Sequence, residues 1–106
     1  MSAPQPFRTA EGAWRWAFRQ LLSRQDGAGA PAGLGRSARP CEADDVVKVV
    51  DHLYRERRIT LDHARALRVY AERDTTPDPR SGDGRLWREA LDAMAPRLRA
   101  KGIVAG

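Results

Sequence analysis

The side chains of this chain best placed to do chemistry are arginines, and their chemistry is binding rather than reaction. They gather in RERRITLDHARALRVYAER, residues 55–73, where six arginines stand against three acids. A guanidinium fork engages phosphate, or the edge of guanine, through two parallel hydrogen bonds. Within this stretch the helical pattern breaks at Arg58-Ile59 and restarts behind Thr60. The Thr60 hydroxyl suits the free N–H groups of a first turn, and Asp62 suits the positive end of the helix dipole. The spacing predicts a helix-turn-helix-like element over residues 46–73 that binds DNA. Arg57, Arg58 and Arg68 would meet phosphates, Thr60 would lie at the contact, and Asp62 and Arg65 would approach base edges. Ala64 suits the small site where two such helices cross, although the usual turn glycine is missing. A second arrangement makes residues 61–73 the supporting helix and the next helix the reader, with Arg85, Arg88 and Arg99 toward DNA around Asp92. The long loop 74–84 ranks it lower.

A competing surface is apolar. On a helical wheel the face of residues 61–73 opposite the core carries Asp62, Arg65, Ala66, Val69 and Arg73. Small apolar residues between arginines suit either a DNA groove or another helix. Trp16 projects nearly opposite the stripe of the first helix, between Arg15 and Arg19. An exposed Trp of this kind is a partner-binding anchor, unless it packs under the 27–40 link or against the C-terminal tail. Trp16, Ala66 and Val69 therefore define the alternative function, an adaptor that binds a transcription or replication factor. The same residues offer a contact for a homodimer.

Catalysis and metal binding have little support in the sequence. There is no GxGxxG, no GxxxxGK[ST] and no GxSxG. Asp44 and Asp45 read as helix-start acids. Asp74, Asp78 and Asp83 are scattered over a turn-rich loop without the pattern of a calcium site. Cys41, His52 and His63 match no zinc spacing. The expectation is a protein that is not an enzyme and holds no metal or cofactor.

The elements that must position the arginines follow from periodicity. Residues 1–8 read as a flexible arm, and 9–104 as one helical domain with a mobile Gly/Ala/Pro-rich link at 27–40. Arg36 and Arg39 in the link could serve as a minor-groove arm. A first helix, about 9–24, carries Ala10, Trp14, Ala17, Phe18 and Leu21 on one face and ends at Asp26-Gly27. A second, about 42–57, carries Val46, Val49, Val50, Leu53 and Tyr54. A third, about 61–73, turns Ala64, Leu67, Tyr70 and Ala71 inward. A fourth, about 85–100, aligns Trp87, Leu91, Met94 and Leu98, with a kink or restart expected at Pro96, and Ile103-Val104 tuck back as a tail. The fold class is all-α, a small four-helix domain containing the helix-turn-helix-like pair.

Charge is distributed unevenly over this plan. The chain has 106 residues, 42% of them hydrophobic, and a formal net charge of +5, which points to an anionic partner, DNA first. Seventeen of its 19 basic residues are arginine, a bias that codon usage alone can also produce. Residues 42–54 hold four acids and one lysine, so positive charge avoids most of the second helix and returns after Tyr54. Surface potential acts over roughly 8–10 Å, so this local asymmetry says more than the total. A single cysteine, no signal-peptide pattern and no apolar run near the roughly 18–20 residues of a membrane span predict a cytoplasmic protein with no membrane contact.

The segments PCEADDVVKVVDHLYRERRI, HARALRVYAER and LWREALDAMAPRLRAKGIV resemble a set of small basic alphaproteobacterial proteins, over roughly residues 9–104. The resemblance implies a self-contained domain in a bacterial cytoplasm and brings no catalytic residues with it. Similarity to helix-turn-helix regulators is weaker and rests on residues 46–73.

Overall fold

The computed structural model describes residues 5–25 and 42–106. These form four helices: α1 (Ala10–Gln25), α2 (Ala43–Arg55), α3 (Leu61–Glu72) and α4 (Gly82–Ala100). The 27–40 link, Arg36, Arg39, Cys41 and the Asp26-Gly27 stop lie outside the described residues. Among those described, no helix is long and apolar enough to cross a membrane.

Each helix begins with a side chain that satisfies its orphan donors. Thr9 Oγ1 accepts from the Gly12 N–H at 3.0 Å, and the Glu42 N–H donates to Asp45 Oδ2 at 2.9 Å. Ser81 Oγ accepts from the Gly84 N–H at 2.9 Å and donates to the Asp78 carbonyl at 2.7 Å. At α3 the partner three residues into the helix is a histidine: the Thr60 N–H donates to His63 Nδ1 at 3.0 Å.

The ends of α2, α3 and α4 share one hydrogen-bond pattern. The N–H of Arg58 reaches the Leu53 carbonyl and that of Arg57 the Tyr54 carbonyl. Thr75 and Asp74 repeat this on Tyr70 and Ala71, as do Ile103 and Gly102 on Leu98 and Arg99. The pattern places one residue in the left-handed region, where glycine is favoured. Gly102 meets that need at φ 76°, while Arg57 (φ 61°) and Asp74 (φ 53°) adopt it despite their side chains. The turn glycine missing from residues 56–59 is thus replaced by Arg57.

The core holds the expected stripes. Trp14, Ala17, Val46, Val49, Leu53, Leu67, Ala71, Trp87, Met94 and Leu98 are buried in one cluster. Alanines at 10, 13, 17, 43 and 90 join it and let the helices approach closely. The tail tucks back as expected, with Ile103 and Val104 buried. The N-terminal arm differs from expectation. Phe7 is buried, its N–H donates to the Ile103 carbonyl at 2.8 Å, and its carbonyl accepts from the Ala105 N–H at 2.8 Å. An arm of 1–8 misses this because two prolines hide a single anchoring aromatic.

Other boundaries also move. Helix α2 stops at Arg55 rather than 57, and α4 starts at Gly82 rather than 85 because Ser81 caps it. Helix α4 runs through Pro96 without a restart. Tyr54 is 42% exposed instead of lying in the core. Helix α2 packs chiefly on α1 and α3 chiefly on α4, while α2 and α3 touch least of all helix pairs. They form a corner, not a mutually packed pair.

Candidate nucleic-acid interface at the α2–α3 corner

The corner is residues 54–68. Arg57, Arg58, Arg65 and Arg68 are all exposed there, and none makes an ion pair or side-chain hydrogen bond among the described residues. Arg65 and Arg68 share the outward face of α3 with Leu61 and Glu72, at spacings of three, four and seven residues. Arg55 pairs with Asp51 at 3.1 Å but stays 74% exposed. The acid inside RERR forms its ion pair with an arginine of another helix. Glu56 takes a two-pronged bond from Arg97 of α4, at 2.6 and 2.9 Å. That bond holds the Glu56 carboxyl below the usual range, against an opposing desolvation effect and with smaller help from the charges of Arg97, Arg58 and His52.

An open groove of about 590 Å³ runs into this corner. Its walls come from both sides of the turn: Tyr54, Arg55 and Arg57, then Ile59, Thr60, Leu61 and Asp62. Of the six residues expected to touch DNA, Arg57, Thr60 and Asp62 line the groove, Arg65 and Arg68 lie along the adjoining face of α3, and Arg58 is exposed in the turn.

The outward face of α3 differs from expectation at two positions. Ala66, expected outside, is 4% exposed, and Val69 is partly buried. Helix α1 crosses this flank of α3: Trp14 Nε1 donates to the Leu67 carbonyl at 2.9 Å in a buried bond. Asp62, Arg65 and Arg73 are exposed as expected, and Leu61, Arg68 and Glu72 are exposed with them. Trp16, expected as an exposed anchor, is partly buried and packs at a tilt against Phe7, ring centres 5.2 Å apart, and the clasp with the C-terminal tail holds Phe7 in place. The proposed adaptor and dimer contacts thus lose Trp16 and Ala66 to internal packing. The alternative reader, α4, has Arg85 engaged with Glu89 at 3.2 Å.

His63 has both ring nitrogens occupied. Nδ1 accepts from the Thr60 N–H, which leaves the proton on Nε2, 3.0 Å from Glu89 Oε1. Glu89 is held below its usual range by this bond and then by Arg85. The pair resembles a general-base dyad, but the nitrogen a base would use is spent on capping α3. Among the described residues no three His, Cys, Asp or Glu gather as a metal cage.

The residue that sequence reasoning missed is Arg15. Its guanidinium donates to the carbonyls of Tyr70 (3.2 Å) and Thr75 (2.8 Å), to Thr76 Oγ1 (3.1 Å) and to Glu11 (3.2 Å). It also lies 4.8 Å over the Trp87 ring. The available signal was Glu11, four residues before it on α1.

In comparisons with known proteins, no family model, no curated protein and no solved structure matches the chain.

Proposed function

We propose that the protein binds DNA through the α2–α3 corner. The observation that carries this is the set of four exposed arginines, Arg57, Arg58, Arg65 and Arg68, without an acidic partner among the described residues. Here Glu56, the acid between Arg55 and Arg57, is tied to Arg97 of α4. Arg57 and Arg58 sit in the turn and Arg65 and Arg68 along α3, so the set can follow a phosphate backbone past the corner.

The test is fluorescence anisotropy with labelled DNA over a salt series. Binding through several phosphates weakens with a log–log slope of about −0.9 per contact on duplex and about −0.7 on single strands. Replacing Arg65 or Arg68 by Ala should shallow that slope by about one contact each while the fold persists. No measurable binding at low salt would overturn the proposal.

A further inference from the structure

The corner holds more than phosphate contacts require. Tyr54 and Leu61 are the two exposed large hydrophobic residues among those described, and both line the same groove. Tyr54 lies in the last turn of α2 and Leu61 opens α3, so the turn puts both on one groove across a sequence gap that no helical wheel spans. The Tyr54 ring has no hydrogen-bond partner among the described residues.

We infer that this groove receives an unpaired nucleobase, so that the DNA bound at the corner is single-stranded. The inference rests on the DNA-binding reading and names the form of DNA that the site takes. In a duplex the base faces are stacked and paired, and cannot lie against the groove's aromatic and apolar walls. In a single strand they are free, and an aromatic side chain next to arginine is the usual platform for them. The volume, about 590 Å³, falls in the range of small-ligand sites and leaves room for a base and its sugar. Charge sorts the occupant within the groove. Arg57, which lines it, suits the phosphate. Asp62, which also lines it, repels a phosphate and accepts from the amino and imino donors of a base edge. A carboxylate is out of place in a pure phosphate site and in keeping with a base slot.

The experiment compares a labelled single strand of about 12 nucleotides, within usual site sizes, with the same sequence as a blunt duplex. The wild-type protein should bind the single strand more tightly. Tyr54→Ala should weaken single-strand binding by about 5- to 100-fold, as loss of one stacked base does. It should leave duplex affinity and both salt slopes unchanged, because Tyr carries no charge. Tyr54→Phe should retain the wild-type affinity. The half-exposed position of Tyr54 keeps the fold intact, which circular dichroism checks. Equal or tighter binding of duplex, or an equal loss on both forms in Tyr54→Ala, would overturn the base slot and leave DNA binding standing. Absence of binding to either form at low salt would remove DNA binding itself.

Discussion

Arg15 and the arginines of the α2–α3 corner are the same residue type put to opposite uses. The Arg15 side chain is 13% exposed, with its guanidinium shared among carbonyls, a hydroxyl, a carboxylate and an indole face. It joins α1 to the C-terminal end of α3, sharing the Tyr70 carbonyl with the Thr75 N–H and taking the Thr75 carbonyl beyond it. Arg57, Arg58, Arg65 and Arg68 face solvent and have no such bonds among the described residues. An arginine is structural where a helix end presents it with acceptors, and available for a partner where the nearest acid has been claimed elsewhere. Charge counts cannot separate the two, because Arg15 and Arg65 each add one.

The largest effect should come from breaking the clamp. Arg15→Ala leaves the Tyr70 and Thr75 carbonyls without this donor and uncovers one face of Trp87. A loss of about 3 kcal/mol, or roughly 15 °C in Tm, is expected in thermal unfolding followed by circular dichroism. Arg15→Lys keeps the charge but not the fork, and should recover less than half of that loss. Arg65→Ala should stay within about 0.5 kcal/mol of wild type. If Arg15→Ala and Arg65→Ala unfold at the same temperature, the contrast between the two regions fails.

A second substitution probes how tightly the clamp side is built. Gly84 lies in the first turn of α4, where an added Cβ would come 2.0 Å from the Asp78 carbonyl oxygen. That carbonyl already receives Ser81 Oγ and the Ser81 N–H, so it cannot move without undoing the cap. Gly84→Ala should cost about 2–3 kcal/mol. Gly82, two residues earlier, has open space at the same position, so Gly82→Ala should be close to neutral. Equal effects would mean that the loop shifts freely and that the close approach carries no energy.

The same contrast explains what could be read from the sequence. The four helices, their inward stripes and the tail at Ile103-Val104 were legible because burial follows the 3.6-residue period. The start of α4 was not, because Gly-Asp-Gly reads as a turn until Ser81 is seen to cap it. The corner arginines were legible as a charge cluster. The groove was not, because Tyr54 and Leu61 lie on different helices and their meeting depends on the turn geometry set by Arg57. Arg15 was missed because its acceptors are backbone carbonyls some 55 to 60 residues away, which side-chain patterns do not record.

Arg57 allows the two roles to be separated within one residue. Its backbone takes a left-handed conformation that costs an L-residue roughly 1–2 kcal/mol, while glycine would add roughly 0.5–1 kcal/mol of chain entropy. Arg57→Gly should therefore raise stability by about 0.5 kcal/mol, or about 3 °C in Tm. It should also weaken DNA binding and shallow the salt slope by about one contact. Stability and binding moving in opposite directions would mark a residue kept for its side chain. A fall in both would mean that the Arg57 side chain holds the turn together.

The smallest effects lie at the two ends of the pH scale, one for each region. Glu56, at the corner, is held below its ordinary pKa of 4.5, mainly by the bond from Arg97. A carboxyl lowered in the folded state stabilises above its unfolded pKa, and that contribution disappears as pH falls through the folded value. Tyr70, at the clamp, is held above its ordinary pKa of 10.0, mainly by its 2.6 Å hydrogen bond to Asp83. A phenol raised in the folded state stabilises below its unfolded pKa, and that contribution disappears as pH rises through the folded value. Glu56→Gln should therefore flatten only the acid side of a plot of Tm against pH, and Tyr70→Phe only the alkaline side. Both groups are solvent-facing, so screening keeps these changes below those of the Arg15 and Gly84 substitutions. A Glu56→Gln change confined to the acid limb, with single-strand affinity at neutral pH equal to wild type or higher, is what a carboxylate diverted from the corner should give. Weaker DNA binding in Glu56→Gln would instead show that the ion pair with Arg97 holds the corner in its binding shape.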